Sequence, residues 1–196
     1  MRWLVFAIAI TAASHVAVAD DGYYLEEGLG GGSYNGELGR FGDGAPRLQI
    51  GFAARRGSVS YEAFGSFLIP DLFFIDCYGE ECAYAARPQA GLGAFGVDVR
   101  KRWRLLSLRR WGKPGVYERP GLFVALHGGP RWFVGSDAIQ DYQGPGLGGG
   151  AALEGDIWIF GYFADVGMDV MRLSGPNDTL HGSMPYVMFG VKIGWL

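Results

Sequence analysis

The last stretch of the chain constrains the fold more than any other. Tyr186 to Leu196 reads Tyr-Val-Met-Phe-Gly-Val-Lys-Ile-Gly-Trp-Leu. Val187, Phe189, Val191, Ile193 and Trp195 fall on one face of an extended chain; Met188, Gly190, Lys192 and Gly194 fall on the other. This period of two marks a strand with one apolar and one mixed face. A strand this apolar would template aggregation unless its edges were paired and its apolar face covered. A sheet closed on itself within a membrane meets both needs.

The same alternation recurs upstream. Arg47–Arg55 sets Leu48, Ile50, Phe52 and Ala54 against Gln49, Gly51 and Ala53, and after Arg56-Gly57-Ser58 the alternation resumes from Val59 to Phe67. Two such runs around a short glycine turn make a hairpin. Ile157–Met171 is the longest run, with Trp158, Phe160, Tyr162, Ala164, Val166, Met168 and Val170 on one face. Tyr23–Ser33, Gln89–Arg100, Gly121–Gly128 and Gly146–Leu153 complete eight candidate strands. Short turns follow the second and sixth, while Asn35–Pro46, Leu68–Arg87, Gly129–Pro145 and Arg172–Pro185 read as long loops rich in turn residues. Short turns on one side and long loops on the other predict an all-β fold, an eight-stranded antiparallel up-and-down transmembrane β-barrel. Lys101–Pro120 departs from that rhythm, because it should be short and is not.

Composition agrees. The 34 glycines among 196 residues suit strands whose backbones crowd together. A net charge of -3 argues against a nucleic-acid partner. Met1-Arg2, the apolar run Trp3–Ala13 and the Ala17-Val18-Ala19 site predict a cleaved signal peptide over 1–19 and one barrel domain over 20–196. No later stretch is an apolar helix of spanning length. Cys77 and Cys82, an even count in an exported chain, predict a disulfide; a metal site is the rival, although two cysteines supply too few ligands.

Alternation alone fits a soluble β-sandwich or a lipocalin-like binding barrel as well. The charges discriminate. Glu62, Asp98, Arg100, Asp165, Asp169 and Lys192 lie in or near strands, opposite the apolar face. In a small membrane barrel they point inward and must pair, since an unpaired buried charge is costly. Tyr61, Phe67, Trp158, Phe160, Tyr186 and Trp195 sit on the apolar faces near strand ends, where aromatics suit a membrane interface. The basic run with Arg102, Arg104, Arg109, Arg110 and Lys113, interleaved with Trp103, Leu105, Leu106 and Trp111, is a candidate interfacial segment on anionic headgroups or an extension of a hairpin beyond the membrane.

On these features the mature chain resembles the small eight-stranded outer-membrane proteins of the OmpA, OmpX or OmpW kind. The resemblance is architectural and involves no diagnostic motif. It implies a bacterial outer-membrane location and recognition of the final strand by the barrel-insertion machinery. In those families the last residue is usually phenylalanine or tryptophan; here Trp195 is penultimate and Leu196 last. Outer-membrane lipid is then the partner, no cofactor is expected, and the lumen of eight strands is just wide enough for side chains to fill. No enzyme chemistry is expected. His181-Gly182-Ser183 is similar to the His-x-Ser pair of outer-membrane lipid A deacylases, but it falls in a predicted loop with no acid following. Gly146-Leu147-Gly148-Gly149-Gly150 lacks the Lys-Ser/Thr ending of a phosphate loop.

Overall fold

The computed structural model describes residues 22–42, 44–69, 90–107, 121–157 and 160–195. The predicted signal peptide, Cys77 and Cys82, and Arg109, Arg110 and Lys113 lie outside these residues. Eight long strands form the fold: β1 (Tyr23–Gly32), β3 (Ala45–Arg56), β4 (Val59–Leu68), β5 (Ala90–Ser107), β6 (Gly121–Asp137), β7 (Gln143–Ile157), β8 (Phe160–Ser174) and β9 (Thr179–Trp195). A two-residue strand, β2 (Asn35–Gly36), and a single 3₁₀ turn, Glu37–Phe41, lie between β1 and β3. Neighbouring strands pair antiparallel in chain order, and β1 pairs with both β3 and β9, so the sheet closes into a barrel.

The register fixes the strand tilt. A path across the hydrogen bonds from Gly32 runs through Tyr186, Gly167, Gly150, His127, Arg100, Ser60 and Arg55. Arg55 donates its N–H to the carbonyl of Gly22, so the path returns to β1 ten residues below its start. A shear of this size goes with the tilt of about 35–45° common to closed barrels.

Two regions read as loops are strands. Residues 129–137 extend β6 and 143–145 begin β7, leaving the five-residue connection 138–142; residues 172–174 and 179–185 extend β8 and β9 around 175–178. Gly128-Gly129-Pro130 and Pro185 mimic turn chemistry, yet the ladder runs through them, pairing Pro130 with Leu147 and Pro185 with Met168. Likewise 101–107 continue β5, with a register shift between Arg104 and Leu106. The end bearing 33–44, 138–142 and 175–178 is called distal here; the end bearing the 57–58 turn is proximal.

The two faces separate as alternation predicts. Val99, Phe160, Val166, Phe189 and Val191 point outward and are exposed, whereas Phe64, Asp98, Phe163, Met188 and Lys192 point inward and are buried. Tyr186 is a correction: it faces inward at 4% exposure. Its place is two positions from Met184 and Met188, also buried, so it belongs to the inner face of β9.

Candidate functional site: an ion-paired lumen beneath an apolar plug

All six predicted lumen charges, Glu62, Asp98, Arg100, Asp165, Asp169 and Lys192, are buried inside the barrel. They are joined by groups from β1, β3, β5, β6 and β7, so that every long strand contributes to the network. Near the proximal rim, Arg102 lies 2.6 Å and Arg55 3.4 Å from Asp156. Above them Arg100 is the central cation, reaching Glu26 at 3.1 Å, Glu62 at 3.0 Å and Glu154 at 2.9 Å. Lys192 lies 3.0 Å from Glu26 and 2.8 Å from Glu154. Gln49 links this tier to the next, donating to Glu62 and accepting from Arg47, both at 3.3 Å.

In the upper tier Arg47 reaches Asp169 at 2.9 Å. Arg131 bridges Asp169 and Asp98, the latter at 3.1 Å. His127 lies between two carboxylates, Nδ1 at 2.7 Å from Asp98 and Nε2 at 3.0 Å from Asp165. Each ring nitrogen therefore faces an acceptor, an arrangement both nitrogens satisfy as donors. Among the described residues, these seven acids meet six Lys or Arg side chains and His127. Aromatic rings cover the flat faces of the cations: Arg47 stands 4.2 Å from the Tyr186 ring centre, Arg102 4.2 Å from Phe123 and Arg131 5.0 Å from Phe64.

Arg102 corrects the expectation of an interfacial basic segment. It is buried in the lumen because β5 continues its period of two through Asp98 and Arg100 to Arg102. Arg104 is exposed, and its guanidinium lies 5.3 Å from the Phe123 ring centre.

The lumen has room for long side chains because its inner wall contains glycine. A Cβ on Gly148 would fall on the Arg131 guanidinium and the Asp169 carboxylate, and one on Gly150 would stand 2.9 Å from His127 Nε2. The Gly146–Gly150 run is thus the wall against which the upper tier packs.

Above the charges the distal end is closed by apolar side chains. Leu92, Phe133, Ile139, Leu173, Leu180 and Met184 form one buried cluster with Tyr34 and Leu38. The last two come from the β1–β3 connection, which folds over the mouth. Gly36 turns it there with φ 72°, a conformation that favours glycine. Tyr34 donates to the Ala90 carbonyl at 2.9 Å, and burial pushes its phenol above the ordinary range, keeping it a donor. Glu37 accepts the His181 backbone N–H at 2.6 Å, and Asp178 accepts from Tyr142 and Arg40.

His181 and Ser183 lie on β9, not in a loop, with Ser183 paired to Asn35 of β2. Glu37 meets the His181 backbone and not its ring, so the described residues form no acid–histidine–serine relay. They also contain no group of three or more His, Cys, Asp or Glu able to hold a metal ion.

Sequence reasoning missed Glu26, Arg47, Glu154, Asp156 and Arg131. Glu26 and Glu27 are adjacent acids on opposite faces, and Arg131 was hidden by the neighbouring glycines and proline. The available signal was the register: every one continues the inward row of its strand.

No protein-family model matches the chain, and no curated protein matches it. Among solved structures, the chain is similar to the crystal structure of Neisserial surface protein A, with a TM-score of 0.59 at 11% identity, covering 88% of this chain and 97% of that one. At this identity the likeness concerns the fold alone, and it agrees with the closed antiparallel barrel built up above.

Proposed function

We propose that the chain is an integral protein of the bacterial outer membrane, with a structural or surface-interaction role and a lumen filled by its own side chains. The observation that carries this reading is the inversion of polarity across the wall. Outward side chains are apolar around the barrel, with Leu29, Leu48, Tyr61, Val97, Leu126, Leu153, Val166 and Phe189 all exposed. The charged side chains that face inward are paired. A soluble barrel does the reverse, burying its apolar face and wetting its polar one. The ten residues of β1, tilted by about 40°, rise about 25 Å, the height of the apolar band of outer-membrane barrels. The match to a surface protein of the same fold supports the same reading.

The filled lumen argues for a closed wall, not a pore. Function then belongs to the distal loops, with lipid around the wall and the insertion machinery engaging β9 during assembly. Two assays test this. After carbonate extraction the mature protein should remain with outer-membrane sheets. Purified and reconstituted in a planar bilayer, it should pass no current above the bare bilayer. Recovery as a soluble periplasmic protein would overturn the location. A steady single-channel conductance would overturn the filled lumen.

A further inference from the structure

Glu27 breaks the pattern of the outward wall. It lies on β1, pointing away from the lumen that its neighbour Glu26 enters, and it is exposed. Its partners across the ladder are Ile50 on β3 and Val191 on β9. Leu25 and Leu29 flank it on its own strand. It stands fifth of the ten residues of β1, halfway up the apolar band. Among the described residues no side chain is hydrogen-bonded or ion-paired to it.

We propose that Glu27 marks a self-association face: two copies of the chain meet along β1, and their Glu27 carboxyls hydrogen-bond to one another inside the membrane. This rests on the membrane-barrel reading above. A polar group halfway through hydrocarbon finds neither water nor a lipid headgroup. Only protein can supply a partner at that depth. A second copy inserted in the same orientation presents its own Glu27 at the same depth, and a two-fold axis along the membrane normal brings the two together. The surrounding wall can receive such a copy. Distal to Glu27, Gly30, Gly31 and Gly32 floor a shallow apolar groove of about 560 Å³ between Pro46 and Pro185. Leu29, 49% exposed, stands between groove and carboxyl.

The test uses full mature chains labelled at the N-terminus with donor or acceptor dye, mixed in phosphatidylcholine vesicles and diluted with lipid. Energy transfer in the native protein should exceed the random-encounter level and persist on dilution. Glu27→Gln, whose amide both donates and accepts, should keep most of it. Glu27→Leu should insert at least as well, yet need about three- to thirty-fold more protein per lipid for half-association, the span expected of a polar contact in a membrane. Transfer at the random level in native protein that floats with the vesicles and migrates as a folded barrel would overturn the pairing alone. Undiminished association of Glu27→Leu would overturn the role of the carboxyl. Native protein that does not float would overturn both this inference and the membrane reading.

Discussion

Replacing Arg100 by Met tests the lumen network at its centre. The substitution keeps an unbranched side chain and removes the guanidinium that lies 2.9–3.2 Å from oxygens of Glu26, Glu62 and Glu154. Glu26 and Glu154 retain Lys192, at 3.0 and 2.8 Å. Glu62 retains the Gln49 amide at 3.3 Å, a neutral donor. The loss is therefore that of a buried pair broken from one side, about 3–5 kcal/mol. Adding Glu62→Gln removes the stranded charge and leaves a neutral buried amide, whose penalty is about 1–3 kcal/mol, so the double variant should regain roughly 2 kcal/mol. Urea unfolding of the protein folded into phospholipid vesicles, followed by tryptophan fluorescence, gives both numbers. An Arg100→Met barrel within about 1 kcal/mol of native, or one that Glu62→Gln does not rescue, would refute the claim that Arg100 neutralises the lower tier.

Three further outcomes follow from the same geometry. Gly148→Ala places its methyl on the Arg131–Asp169 pair and should destabilise by about 1–3 kcal/mol, whereas Gly65→Ala, whose Cβ meets nothing closer than 3.7 Å, should be near neutral; the same urea titration separates them. Val166→Arg, on a side chain 55% exposed on the outer wall, should cost about 2–4 kcal/mol or block insertion; unchanged assembly yield in vesicles would contradict the orientation of β8. Leu38→Ala, at a fully buried position of the plug, should cost about 2–5 kcal/mol and speed proteolysis within residues 33–44; an unchanged cleavage rate would detach that connection from the core.

The period of two made the wall legible. It placed Glu62, Asp98, Arg100, Asp165, Asp169 and Lys192 on one side, because each lies in a strand whose opposite row is plainly apolar. It failed where glycine and proline imitate turns. Gly129 and Gly144 lie where the backbone of a neighbouring strand comes close, at Val97 and at Arg172, not where the chain bends, and so β6 and β7 were cut short and Arg131 was lost. Arg102 was grouped with its basic neighbours in sequence, although the row from Asp98 through Arg100 already carried it inward. The plug was not legible: Leu38 and Tyr34 lie in a glycine-rich connection without periodicity, and only closure of the barrel brings them over Phe133 and Leu173.

Heat-modifiability tests whether the chain forms a closed barrel with an apolar outer wall. Protein extracted from the outer-membrane fraction in mild detergent should migrate on a gel as a compact species when unheated and as an extended chain after boiling. Identical migration before and after boiling, with the protein in the soluble fraction, would contradict the account and make the apolar face a buried core.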